Sequence, residues 1–371
     1  MKLLSSVLFL ALGVFAYATP ATQVCPCGFV NDLSSNPNCT TFIEDAKVGQ
    51  TGFCAENGTN DDEDQSLCFV NGDGEAKCRC NCGWKGDLCS EKVEINVTTG
   101  VLFLVFSLGV LGCSVAYNIW RARTKGTDDW KFNGDQCSTP PQPWVSDKVL
   151  LAYRFAAFAI GFGFLVTLLD TPRIFVAFTV WNWTIFTVYF GIGTYLSLRK
   201  VLKTERKVEH LTKPEKAFIV LLNLELPSTF LICAVVWLVL YPAAVSVDAN
   251  LDGVLNPFSF LSHAANVAFF LVDFFFSGLY IRLHYFVYTV MWGSTYIAFH
   301  TVYQFVREAQ SKDHCPVYGF LTLDQEPLFA IIWAFGLLFV YFLFFLIGLL
   351  VSKFKEKRYA RFQENEVKVS A

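Results

Sequence analysis

The sequence predicts an all-α polytopic membrane protein: seven transmembrane helices, one standing apart and six forming a bundle, behind a small disulfide-rich N-terminal ectodomain. Three observations carry this. From Leu150 onward, apolar runs of about twenty residues recur with short polar breaks, the length a helix rising about 1.5 Å per residue needs to cross roughly 30 Å of hydrocarbon. Nine of the thirteen cysteines fall between Cys25 and Cys89, a density expected where an oxidising compartment lets disulfides hold a small domain. Lys and Arg collect in alternate loops, as the positive-inside rule requires.

The N-terminus reads as a secretory signal over residues 1–18. Lys2 precedes an apolar run from Leu3 to Phe15, and Ala16-Tyr17-Ala18 supplies a small-residue cleavage site. The competing reading is an uncleaved signal anchor. Residues 19–99 form the ectodomain, with thirteen acidic and five basic side chains, a net charge of −8, which disfavours nucleic acid as a partner. Three N-x-Thr acceptors, Asn38, Asn57 and Asn96, fit lumenal or extracellular exposure. Asn182-Trp183-Thr184 also matches, but it lies inside an apolar run that a glycosyl transferase does not reach.

Within the ectodomain, Cys78-Arg79-Cys80-Asn81-Cys82-Gly83-Trp84-Lys85-Gly86-Asp87-Leu88-Cys89 resembles the C-terminal half of an EGF-like module, placed at 68–89. Cys39, Cys54 and Cys68 are candidates for the earlier half-cystines beside Cys78, Cys80 and Cys89. Cys82 is extra to the pattern, and nine is odd, so one thiol is free or pairs between chains. Pairing stays open.

The expected spans are 101–120, 149–169, 174–198, 217–243, 258–280, 285–305 and 328–352. Arg121, Arg123 and Lys125 follow the first. Arg199, Lys200, Lys203, Arg206 and Lys207 follow the third, Arg282 the fifth, and Lys353, Lys355, Lys357, Arg358 and Arg361 the seventh. These four ends share one side only with seven spans and an outside N-terminus. The first helix is then joined by a cytoplasmic linker, 121–148, to the bundle at 149–352, and 353–371 is a basic cytoplasmic tail. The expected location is an integral membrane of the secretory pathway or cell surface.

Polar residues inside spans are costly in lipid and mark the bundle interior. Thr179 and His263 each lie about five residues, or roughly 7 Å, below the outer ends of the third and fifth spans, so contact between them is feasible. A hydroxyl beside an imidazole is the pairing that nucleophilic attack on an ester needs. The plainer alternatives are a threonine bonded to its own helix and a packed histidine. Asn266, a turn beyond, is placed to orient the ring or bond substrate, and His300 is an alternative base. Nearer the inner side, Arg154, Glu225 and Asp273 fall at similar depth and are expected to meet in a buried ionic cluster.

Thr179-Val180-Trp181-Asn182-Trp183-Thr184, running into Tyr189-Phe190-Gly191-Ile192-Gly193, resembles the second core helix of the rolling-stone and androgen-induced-protein membrane superfamily, closest to its plant-type members. His263-Ala264-Ala265-Asn266 followed by Asp273 is similar to that superfamily's histidine helix, and Tyr318 to Asp324 to an aromatic-rich loop. The resemblance spans roughly 149–350. Its androgen-induced branch implies a threonine nucleophile at Thr179, a histidine at His263 and hydrolysis of fatty acid esters of hydroxy fatty acids; its rolling-stone branch implies a role in cell fusion instead. Trp181 and Trp183 beside the threonine depart from the androgen-induced pattern, and Trp181, like Asn266, is a candidate to contact substrate or orient the ring. The signal peptide, EGF-like segment and extra span depart from the family pattern.

Two functions of different class therefore follow: a lipid ester hydrolase acting on membrane lipid, or an adhesion or receptor protein whose ectodomain binds a protein ligand. A transporter rests only on the inner charges, with no inverted repeat. Asp248-Ala249-Asn250-Leu251-Asp252-Gly253 matches half of a calcium loop, but Ser259 stands where the bidentate glutamate belongs. A polar turn is the expected reading, and no cofactor or metal is expected.

Overall fold

In the computed structural model the described residues are 94–125, 135–142, 144–170, 175–204, 211–242, 255, 257–309, 318, 321–323 and 327–370, with the backbone of five short strands further upstream. The signal peptide, most of the ectodomain with Asn38 and Asn57, and the Asp248-Asn250-Asp252 turn lie outside them. The strands are β1 (Val24–Pro26), β2 (Ser66–Val70), β3 (Ala76–Cys80), β4 (Trp84–Lys85) and β5 (Glu91–Lys92). β3 pairs antiparallel with β1 and β2, with Cys78 opposite Cys25 and Cys68 in register, and β4 pairs with β5.

The rest is helical: α1 (Val97–Lys125), α2 (Asp135–Ser138), α3 (Asp147–Thr167), α4 (Phe178–Val201), α5 (Lys213–Val235), α6 (Pro257–Phe260), α7 (Asn266–Phe276), α8 (Phe286–Ala309) and α9 (Pro327–Ser370). Among the described residues, four stretches are long and apolar enough to cross a bilayer: Val97–Thr124, Asp147–Thr167, Lys213–Leu240 and Pro327–Lys357. Leu261–Phe276 is a shorter apolar helical stretch. α4 and α8, each of 24 residues, are not among the four and fall at the third and sixth expected positions.

The chain divides into two compact units, residues 1–106, 238–251 and 297–335, and residues 107–237, 252–296 and 336–371. In the first, Asn96 starts α1. Its Oδ1 accepts the Thr99 N–H at 3.2 Å, an N-cap of the usual kind, and its own N–H donates to Leu323 O at 2.6 Å. Gln304 holds the same segment, donating to Leu321 O and accepting from Leu323 N–H.

The second unit is built on helix starts written in the sequence. Ser146 caps α3 through the Val149 N–H. Thr212-Lys213-Pro214-Glu215 forms a capping box, with Glu215 Oε2 accepting from the Thr212 N–H at 2.6 Å. Inside α5, Pro227 removes an amide, so the Asn223 carbonyl four residues back has no intrahelical donor. Thr289 Oγ1 of α8 takes that place at 3.1 Å. An aromatic core of Trp183, Phe186, Tyr189, Phe190, Phe218 and Phe270 fills the space between α4, α5 and α7.

At one end of this core sits a charged knot. Arg154 of α3, wholly buried, meets Asp273 of α7 through Nε at 2.6 Å and Nη2 at 3.2 Å. Tyr189 of α4 donates to Asp273 Oδ2 at 2.5 Å. The remaining guanidinium nitrogen donates to Ser197 Oγ at 2.9 Å and to Cys137 O of α2 at 2.7 Å. A side chain at Gly193 would come within 2.9 Å of Phe218 and 3.1 Å of Arg154, so the residue without one lets α4 approach the guanidinium.

Two segments expected at the surface join this knot. The linker docks through α2: Gln136 O accepts the Gly278 N–H at 2.9 Å, and burial pushes the Cys137 thiol well above its ordinary range, leaving it protonated. Cβ at Gly278 would lie 3.0 Å from the Gln136 Cα, so this contact too needs glycine. Lys355, counted among the tail's basic residues, is instead 1% exposed. Its ammonium donates to the carbonyls of Phe274, Ser277 and Leu279 at the end of α7, where a cation complements the helix dipole. α9 runs on to Ser370.

Removing one partner of a fully buried pair strands the other charge, at a cost of about 3–5 kcal/mol, whereas replacing both by apolar groups relieves it. Arg154→Met and Asp273→Leu are each expected to lower the thermal midpoint in detergent strongly, and the double variant to recover most of the loss. Additive losses would contradict the pairing.

Candidate active site

Thr179 is the second residue of α4, and His263 lies at the centre of a π-helical turn, Leu261–Ala265, between α6 and α7. In that turn the Asn266 N–H reaches back five residues to Leu261 O. Such one-turn bulges widen a helix and re-aim its side chains. Thr179 Oγ1 lies 3.3 Å from His263 Nε2, and both residues are half-buried.

The other ring nitrogen is surrounded by oxygens of its own helix. His263 Nδ1 is 2.8 Å from Ser259 O, 3.0 Å from Ser259 Oγ and 3.1 Å from Ser262 Oγ. Ser259 precedes His263 by four residues, so this contact was open to reading from helical spacing; the π-turn that shapes it leaves no mark in residue type.

The remaining expected site residues fall differently. Asn266, expected to orient the ring or bond substrate, instead accepts the Val267 N–H at 2.7 Å through Oδ1. Trp181 donates from Nε1 to Phe175 O at 2.9 Å and packs against Trp292 and Tyr296. His300 pairs through Nδ1 with Gln304 Nε2 at 2.9 Å, within the brace on 321–323. Asn96 uses Oδ1 as a helix cap. Among the described residues Cys113, Cys137 and Cys233 are free thiols, the disulfide candidates Cys39, Cys54 and Cys89 lie outside them, and no group of three or more potential metal ligands occurs.

The expected cluster of three ionisable groups is a pair. Arg154 and Asp273 meet, but Glu225 does not join them. The Arg154 guanidinium stacks 4.7 Å over Phe218, which precedes Glu225 by seven residues, or roughly 10 Å of helix rise. α5 begins at Lys213 rather than near 217. Glu225 is 1% exposed, and its Oε2 has no hydrogen-bond partner among the described residues. Compared with known proteins, the chain matches no family model, no curated protein and no solved structure.

A lone buried carboxyl without a counter-charge adds nothing that an amide of the same shape lacks. Glu225→Gln is therefore expected to leave the thermal midpoint unchanged or raise it. A large loss would reveal a cation that Glu225 serves.

Proposed function

We propose that the chain is a seven-span integral membrane protein, with its cysteine-rich EGF-like region outside and its C-terminus in the cytoplasm, that hydrolyses the ester bond of membrane lipids through Thr179 and His263. The observation carrying this reading is the 3.3 Å approach of the Thr179 hydroxyl to His263 Nε2 across two helices. Thr184, Thr187 and Thr194, on the same helix, each donate to the carbonyl four residues back, the ordinary use of a threonine in an apolar helix. Thr179, the second residue of the helix, has no such carbonyl behind it and faces a base.

In the reaction Thr179 Oγ1 attacks the acyl carbonyl while His263 Nε2 takes the hydroxyl proton. Collapse of the tetrahedral intermediate breaks the ester C–O bond, and the imidazolium returns that proton to the leaving alcohol. Water then attacks the acyl-threonine, giving its proton to Nε2, and the fatty acid leaves as Thr179 recovers its hydrogen. The expected acyl donor is apolar, because exposed Val188, Tyr195, Phe260 and Phe275 flank these helices with lipid-compatible surface.

Full-length protein in nanodiscs is expected to hydrolyse long-chain fatty acyl esters. Thr179→Ala and His263→Ala, with unchanged thermal midpoints, are expected to lose at least about a thousandfold in kcat, the scale for removing a nucleophile or its base. Thr179→Ser should retain part of it. Normal turnover in either alanine variant excludes that residue from the reaction. The competing adhesion reading rests on the cysteine spacing of 68–89; it requires residues 19–99 and tolerates Thr179→Ala, whereas hydrolysis requires the reverse.

A further inference from the structure

A backbone carbonyl has no proton to give. Ser259 O stands 2.8 Å from His263 Nδ1, so at that distance Nδ1 carries the proton and donates it. A neutral imidazole protonated at Nδ1 has its lone pair on Nε2. Nε2 is the atom facing Thr179 Oγ1, and a lone pair there accepts the threonine O–H. The Ser259 and Ser262 hydroxyls, 3.0 and 3.1 Å from Nδ1, add further acceptors around the same proton. No carboxylate is bonded to the ring among the described residues, so a neutral carbonyl fills the orienting place.

The threonine side of the pair is also arranged. Thr179 is the second residue of α4 and follows the extended Ala177, so it has no carbonyl of a preceding α-turn to draw its hydroxyl. Trp181 Nε1 donates to Phe175 O, ahead of the helix, at 2.9 Å. The indole is held there by Trp292 and Tyr296, with ring centroids at 5.5 and 5.4 Å.

We propose that Ser259 is the positioning residue for this pair, a refinement that rests on the hydrolase reading above. The Ser259 carbonyl, brought to the ring at the π-turn, fixes His263 as its Nδ1–H tautomer. The direction of the hydrogen bond, from Thr179 to His263, follows from that tautomer.

The test is imidazole nitrogen NMR of full-length protein labelled at histidine and reconstituted in lipid, with His263→Gln identifying the resonances. The expected spectrum has a protonated-type Nδ1 and an unprotonated-type, hydrogen-bonded Nε2. Thr179→Ala shifts Nε2 toward its unbonded position, and Ser259→Ala, which keeps the carbonyl, leaves Nδ1 protonated. An Nε2–H tautomer in the unsubstituted protein overturns the role of Ser259 and needs no variant to be seen. Ester turnover on the same samples separates the two claims: the Nδ1–H tautomer in a protein that hydrolyses nothing keeps the arrangement and removes the hydrolase reading.

Discussion

The buried pair of Arg154 and Asp273 is the interaction on which the second unit depends. Charges in an apolar interior cost several kcal/mol each unless every donor and acceptor is matched, and here the guanidinium reaches α2, α4 and α7 from α3. Tyr189 adds a second bond from α4 to Asp273. α4 and α7 are thereby tied together at one end. Thr179 lies at the other end of α4, and His263 lies in the π-turn that leads into α7.

Much of this was legible. Apolar runs near Leu150 and Phe218 located helices because the bilayer demands length and uniform apolarity, while the caps at Ser146 and Thr212 begin those helices earlier than the apolar runs alone suggest. Depth counted at about 1.5 Å per residue put Thr179 level with His263 and Arg154 level with Asp273, and both pairs meet. It failed at Glu225, whose Oε2 has no partner among the described residues. Asn266 bonds its own helix at the end of a π-turn, which leaves no mark in residue type. Lys355 was hidden for another reason: among five basic residues that orient the chain, nothing in composition distinguishes the one that turns inward to cap α7.

The imidazole is held without a carboxylate in a place where carboxylates are expensive. Asp273, ten residues beyond His263, is committed to Arg154, and the ring is bonded to the Ser259 carbonyl instead. A carbonyl orients the ring without bringing a second charge into the apolar interior.

The measurement that bears most directly on the central claim, an activated Thr179, is covalent labelling with a lipophilic fluorophosphonate of full-length protein in nanodiscs. The account predicts adduct formation on Thr179, located by peptide mass spectrometry and absent from folded Thr179→Ala and His263→Ala. No adduct under conditions where an active membrane hydrolase reacts, or an adduct undiminished in Thr179→Ala, would contradict it and leave the two residues as packing between α4 and the π-turn.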